Sequence, residues 1–138
     1  MFQFQIILVT FLWLGFTTAT NLNIDNFNCE TDPASSEASL GDGFYIYCYF
    51  PNQSIDACIW KHCYRPGTCK SCGTGPTISI GCNIGWNSWY RTDGCGLFIA
   101  SGMEYEDFGT FYLDVIGKPE NGLGIFRTRK TIEVNLKP

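Results

Sequence analysis

Hydrophobic and polar positions alternate with a period of two along most of the chain. Phe44, Ile46, Cys48 and Phe50 fall on one face of an extended segment and Tyr45, Tyr47 and Tyr49 on the other, the pattern of a strand with one side against a core. Ile78, Ile80 and Cys82 alternate with Thr77, Ser79 and Gly81, and Leu97 and Ile99 share a face opposite Phe98 and Ala100. Towards the C-terminus Phe111, Leu113 and Val115 alternate with Tyr112 and Asp114, and Ile132, Val134 and Leu136 alternate with Thr131, Glu133 and Asn135. Turn residues punctuate these runs at Gly41-Asp42-Gly43, Arg65-Pro66-Gly67, Gly73-Thr74-Gly75-Pro76, Asp93-Gly94 and Gly117-Lys118-Pro119, since glycine admits positive φ and proline presets φ for a turn. Thr31 to Ser39 is polar and reads as a loop between the first two strands. No stretch after the N-terminal run keeps an apolar period of 3.6, so the pattern predicts an all-β chain of about seven to nine short strands in a sandwich or barrel.

The N-terminus departs from this alternation. Phe2 to Phe16 is almost wholly apolar and then turns small and polar at Thr17 to Thr20, although no Lys or Arg precedes the run. It predicts a signal peptide over 1–20, because the run is shorter than the ~20 residues of a spanning helix, and leaves 21–138 as one domain. Eight cysteines among 138 residues fit an oxidising, extracellular compartment, since a cytosol keeps thiols reduced. Charged residues reach only 16%, the same share as aromatics, which predicts a packed aromatic core and excludes a disordered chain. Nine Lys and Arg against thirteen Asp and Glu give a net charge of −4, the wrong sign for gripping phosphate backbones, so no nucleic-acid partner is expected.

The run Leu97-Phe98-Ile99-Ala100-Ser101-Gly102-Met103-Glu104-Tyr105-Glu106-Asp107-Phe108-Gly109-Thr110-Phe111-Tyr112-Leu113 resembles the E-to-F segment of a V-set immunoglobulin domain, which ends in E-D-x-G-x-Y-x-C. Gly41-Asp42-Gly43 followed by Phe44 to Phe50 resembles strand B with its core cysteine at Cys48, and Trp60, twelve residues on, stands where strand C carries its core tryptophan. The resemblance covers about residues 24–138. It implies an immunoglobulin-like β-sandwich of two packed antiparallel sheets, disulfide-rich here, with Cys48, Trp60, Leu97, Ile99, Asp107, Gly109, Phe111 and Leu113 as its core signature. It also implies that Asp107 holds the E–F turn and pairs with Arg91 at the start of strand D.

Two residues depart from the family pattern. Phe111 keeps the ring of the corner tyrosine without its hydroxyl, a loss of about 1 kcal/mol if nothing replaces it. Leu113 replaces the second core cysteine, so the B–F disulfide cannot form. All eight cysteines, Cys29, Cys48, Cys58, Cys63, Cys69, Cys72, Cys82 and Cys95, are therefore disulfide candidates. Parity puts Cys58 with Trp60 and Cys95 with Leu97 and Ile99, so both compete with Cys48 as core partners. Resemblance to the hairpin bridge of polymeric-immunoglobulin-receptor-like V domains implies that Cys63 pairs with Cys69 or Cys72, although Cys63 lies three residues past Trp60 instead of next to it. A cysteine-rich V-like domain lacking the B–F pair is also similar to the membrane-distal domains of cnidarian allorecognition receptors.

Chemistry-bearing patterns are few. Cys58-x4-Cys63-x5-Cys69-x2-Cys72 encloses His62, the single histidine, but the spacing is no paired C-x2-C array and disulfides account for the same residues, so no metal or cofactor is expected. His62 reads as a residue at the exposed end of strand C. No G-x-S-x-G elbow surrounds a nucleophile, and Glu106-Asp107 reads as structural, so no catalytic residue, enzyme activity or small-molecule substrate is expected. Asn52-Gln53-Ser54 is an N-glycosylation sequon in the B–C loop, and Gly122-Leu123-Gly124 reads as the F–G loop.

V-set domains bind through the face of strands G, F, C and C′, and the resemblance places Ile59 and Lys61 from C, Tyr112, Asp114 and Ile116 from F, and Thr131 and Glu133 from G on that surface. Ile59, Tyr112 and Ile116 would form an apolar centre with a charged rim. The outward row Tyr45, Tyr47 and Tyr49 is a second candidate surface. The expected function is extracellular protein–protein recognition between cells, homophilic if the allorecognition resemblance holds, with Pro138 at an interdomain position ahead of further domains and a membrane anchor. The alternative is a free secreted cysteine-rich effector or soluble immune-type binding protein, against which the acidic balance argues.

Overall fold

The alternating runs become paired strands in a computed structural model that describes residues 28–82, 85–119 and 124–138. The expected signal peptide, and Gly122 and Leu123 of the expected F–G loop, lie outside the described residues. In chain order the strands are β1 (Asn28–Asp32), β2 (Glu37–Ala38), β3 (Phe44–Tyr49), β4 (Gln53–Arg65), β5 (Thr68–Thr74), β6 (Ser79–Ile80), β7 (Trp86–Arg91), β8 (Gly94–Ile99), β9 (Gly109–Pro119) and β10 (Phe126–Leu136). One sheet runs β1-β3-β8-β7 and the other β2-β10-β9-β4-β5-β6. The result is a disulfide-rich all-β sandwich, compatible with an immunoglobulin-like domain. Among the described residues every strand pair is antiparallel except β2 against β10, which is parallel.

The inner faces meet as the alternation requires. Phe44, Ile46, Cys48 and Phe50 are buried while Tyr49 stands 46% exposed. Trp60 and Leu113 are Cα partners on β4 and β9 and both are buried, as are Leu97, Ile99, Phe111 and Val115. Each such side chain contributes about 1.5–3 kcal/mol by leaving water. Ile132 and Val134 join this core, but Leu136 is 43% exposed because β10 there runs past the sandwich, paired only with the two-residue β2.

Four bridges tie the sandwich: Cys29–Cys48, Cys58–Cys95, Cys63–Cys69 and Cys72–Cys82. Cys58–Cys95 joins β4 to β8 across the core and so links the two sheets. Cys63–Cys69 closes the β4–β5 hairpin, one of the two pairings expected. Cys48 does not pair with either core competitor. It is the direct Cα partner of both Cys95 on β8 and Cys29 on β1, and it bonds Cys29, with Cα atoms 4.0 Å apart, while Cys95 bonds Cys58 across the core. Parity identifies the face that a cysteine occupies and cannot choose between neighbours on that face.

Three local expectations are corrected. Thr31 to Ser39 is no simple loop: it carries the end of β1, a 3-10 turn at Ala34–Ser36 and β2, so the chain leaves one sheet and joins the other. Ile78, Ile80 and Cys82 do not form a full strand. Only Ser79–Ile80 pairs, at the sheet edge against Gly73 and Thr74, and Ile80 is 46% exposed. Gly117-Lys118-Pro119 is not a turn but the end of β9, paired with Ile55, Ser54 and Gln53. Gly117 is glycine for space, since a Cβ there would lie 2.4 Å from Ser54 O and 2.6 Å from the Phe126 ring.

Candidate functional site

The single histidine is not at an exposed strand end. β4 continues to Arg65, so His62 shares the inward parity of Trp60 and is only 2% exposed. Its ring lies 4.3 Å from that of Phe111 and 5.7 Å from that of Trp86, and Nε2 is 2.8 Å from the carbonyl oxygen of Phe108. A carbonyl only accepts, so Nε2 carries the proton and donates. Phe108 lies three residues upstream of Phe111 at the β8–β9 corner. His62 thus ties β4 to the backbone of the β8–β9 corner beside the Phe111 ring. Burial lowers the His62 pKa below its ordinary 6.5, against the opposing pull of the Phe108 hydrogen bond and Asp107, so the imidazole is neutral near pH 7. In this setting it is a structural group.

Asp107 is also structural, but not through Arg91. Its Oδ2 accepts the Glu104 backbone N–H at 2.8 Å within the 3-10 turn Tyr105–Asp107. Arg91 is the last residue of β7, beside the turn to β8, and its guanidinium sits 5.7 Å from the Tyr47 ring centroid. The start of β7 is Trp86, which packs on His62 and Phe111 instead. Gly109, at φ 110°, follows this corner and begins β9. The four cysteines of the zinc-like spacing are all in disulfides, so no thiolate stands beside His62.

The outer face of the six-stranded sheet brings together the expected recognition residues. Cross-strand register sets Arg129, Asp114, Ile59 and Gly73 in one row, Thr131, Tyr112, Lys61 and Ser71 in the next, and Arg127, Ile116 and Ala57 in a third. Ile59, Tyr112, Asp114 and Ile116 are half-buried and Lys61 is exposed. Asp114 receives two hydrogen bonds from Arg129, at 2.6 and 2.9 Å, and Arg129 also lies 5.6 Å from the Tyr112 ring centroid. Thr110 donates to Glu133 at the end of the face. An open hollow lined by Ile59, Ile116, Arg127 and Arg129 lies among these rows. Arg127 and Arg129 were not among the residues expected from sequence, although they continue the outward parity of Thr131 and Glu133.

Asn52 is exposed in the turn between β3 and β4, open to modification. No protein-family model matches the chain, and no curated protein is detectably similar to it. Four disulfides are consistent with an extracellular or secreted domain, and among the described residues no helix is long and apolar enough to cross a membrane.

Proposed function

We propose that this chain is a V-set-like immunoglobulin domain that recognises a protein on another cell, and that it binds a second copy of itself through the outer face of β10, β9, β4 and β5. The observation that carries this reading is the half-buried outward centre of Ile59, Tyr112 and Ile116, ringed by Lys61, the Asp114–Arg129 pair and Arg127. Apolar and aromatic groups at the centre with charge at the rim is the composition of a recognition patch. The V-set reading draws on the switch of the first strand between sheets, with β2 parallel to β10, on Trp60 in the core, and on the Asp107 turn ahead of β9. The face holds both signs of charge, Lys61 and Arg127 against Asp114 and Glu133, which suits self-complementary pairing.

The test is bead aggregation with the oxidised domain displayed at high density, where avidity reveals weak contacts. Wild-type beads should clump, and Ile59→Arg with Lys61→Glu should abolish clumping while thermal stability stays near wild type. Dispersed wild-type beads would refute self-recognition. Clumping that survives in the variant would refute the choice of face.

A further inference from the structure

The outer face of the four-stranded sheet is built differently. Register places three rows across it: Asp32, Tyr45, Phe98 and Asn87; Glu30, Tyr47, Gly96 and Trp89; Asn28, Tyr49, Gly94 and Arg91. Five aromatic side chains therefore occupy one surface, with Tyr49 46% and Phe98 38% exposed and Tyr45, Tyr47 and Trp89 half-buried. The two glycines let these rings fold down onto the sheet. A Cβ on Gly96 would lie 2.3 Å from two atoms of the Trp89 indole, and one on Gly94 would lie 2.2 Å from the Tyr47 hydroxyl. The ring planes of Tyr45 and Tyr47 are within 18° and those of Tyr45 and Trp89 within 32°, with centroids 6.5 and 5.5 Å apart. The surface is a floor of rings about 14 Å across by strand and residue spacing, and it carries hydrogen-bonding side chains at both edges.

We propose that this floor binds the neutral hexopyranose rings of a glycan carried by another molecule. The apolar C–H face of a pyranose ring matches the electron-rich face of an aromatic ring, while its equatorial hydroxyls need donors and acceptors at the periphery. Asp32, Glu30 and Asn28 along β1, and Asn87 and Arg91 along β7, stand there. Charge decides against the two nearest alternatives. Glu30 and Asp32 in the outward rows and Asp93 beside the Tyr47 hydroxyl outnumber Arg91 there, so a second copy laid face to face, or an anionic sugar, meets more like charge than unlike. A neutral polyol meets none. A protein interface core also interlocks projecting side chains, whereas Gly94 and Gly96 remove the projections from the middle of this surface.

The probes are chitohexaose, cellohexaose and yeast mannan, titrated into the oxidised Asn52→Gln chain so that no glycan of its own competes, with tryptophan fluorescence and calorimetry as readouts. At least one probe should bind, and both Trp89→Ala and the more exposed Tyr49→Ala should weaken it by about tenfold or more. Tyr112→Ala on the opposite face should bind like the parent, which separates this outcome from the self-recognition assay. A folded, fully bridged protein that binds none of the probes at millimolar concentration would overturn the proposal. So would binding undiminished in Tyr49→Ala, and so would a concentration-dependent dimer in sedimentation that Trp89→Ala dissolves, since the face would then belong to a second copy.

Discussion

Replacing His62 with phenylalanine tests whether the His62–Phe108 hydrogen bond holds the β8–β9 corner. The ring of the substitute fills nearly the same space between Phe111 and Trp86 but removes the Nε2–H donor, so the Phe108 carbonyl loses its 2.8 Å partner in a buried setting. Leaving such an acceptor unsatisfied costs about 1–3 kcal/mol. A pH dependence comes with it. Burial holds the folded-state pKa of His62 below 6.5, so on acidification the unfolded chain takes up the proton first. Stability from neutral His62 is therefore complete above about pH 6.5 and declines as pH falls from there towards the folded pKa. Urea unfolding followed by tryptophan fluorescence, from about pH 8 to about pH 5, measures both effects. The wild-type advantage over His62→Phe should be about 1–3 kcal/mol at the upper end and shrink towards the lower. Carboxylates common to both proteins cancel in that difference. A variant as stable as wild type at pH 8, or a difference that does not change with pH, would refute the reasoning.

Peptide mapping without reduction should recover the four bridges 29–48, 58–95, 63–69 and 72–82. Cys58→Ala with Cys95→Ala should lower stability by about 4 kcal/mol, the chain-entropy value for the 37-residue separation, and by more than loss of the 6-residue Cys63–Cys69 bridge, at about 2 kcal/mol. Unfolding free energies taken from midpoint and m value together decide that ranking, since removing a cross-link also expands the unfolded chain and raises m. Gly96→Ala puts a methyl 2.3 Å from the Trp89 indole; displacing the ring should cost about 1–3 kcal/mol and alter the near-ultraviolet circular dichroism of the aromatic face. Asp107→Ala removes the acceptor for the Glu104 N–H and should cost about 0.5–2 kcal/mol by thermal melting, whereas Arg91→Ala, far from that turn, should leave the corner unaffected.

The inward rows were legible because burial enforces parity over several residues, as in Phe44 to Phe50 and Phe111 to Val115. Segments too short for parity were not. β2 and β6 have two residues each and exist through their partners, β10 and β5, so β2 lay hidden in a polar stretch and the alternation around β6 predicted a longer strand than its pairing supports. Gly117-Lys118-Pro119 carries turn residues, yet β4 extends far enough to pair with it, and long-range pairing overrides local preference. His62 was misplaced for a related reason. Its parity with Trp60 was readable, but its burial depends on β4 running on to Arg65, where sequence reading ended the strand earlier. The Asp107–Arg91 pairing failed by a register of five residues: β7 starts at Trp86, and the aromatic there joins the histidine, not the aspartate. For the proposed recognition face, parity was sufficient for Ile59, Lys61, Tyr112, Asp114 and Ile116, and the same rule applied two and four residues before Thr131 reaches Arg129 and Arg127.

Separation of inner and outer rows also explains how one sandwich can present two unlike surfaces. The bonds that define the fold, the Cys58–Cys95 bridge, the Trp60–Leu113 contact and the His62 tie, all lie on inward positions. The outward positions of the two sheets are on opposite sides of that core, so a substitution at Ile59 shares no contact partner with one at Tyr49. Distant sites without shared partners have additive energies. Ile59→Arg combined with Tyr49→Ala should therefore lose stability by the sum of the two single changes, and should lose both bead aggregation and glycan binding, each to the extent of its own single variant. A coupling above about 0.5 kcal/mol in that double-mutant cycle would show that the two faces communicate through the core, and the assignment of separate partners to separate sheets would fall with it.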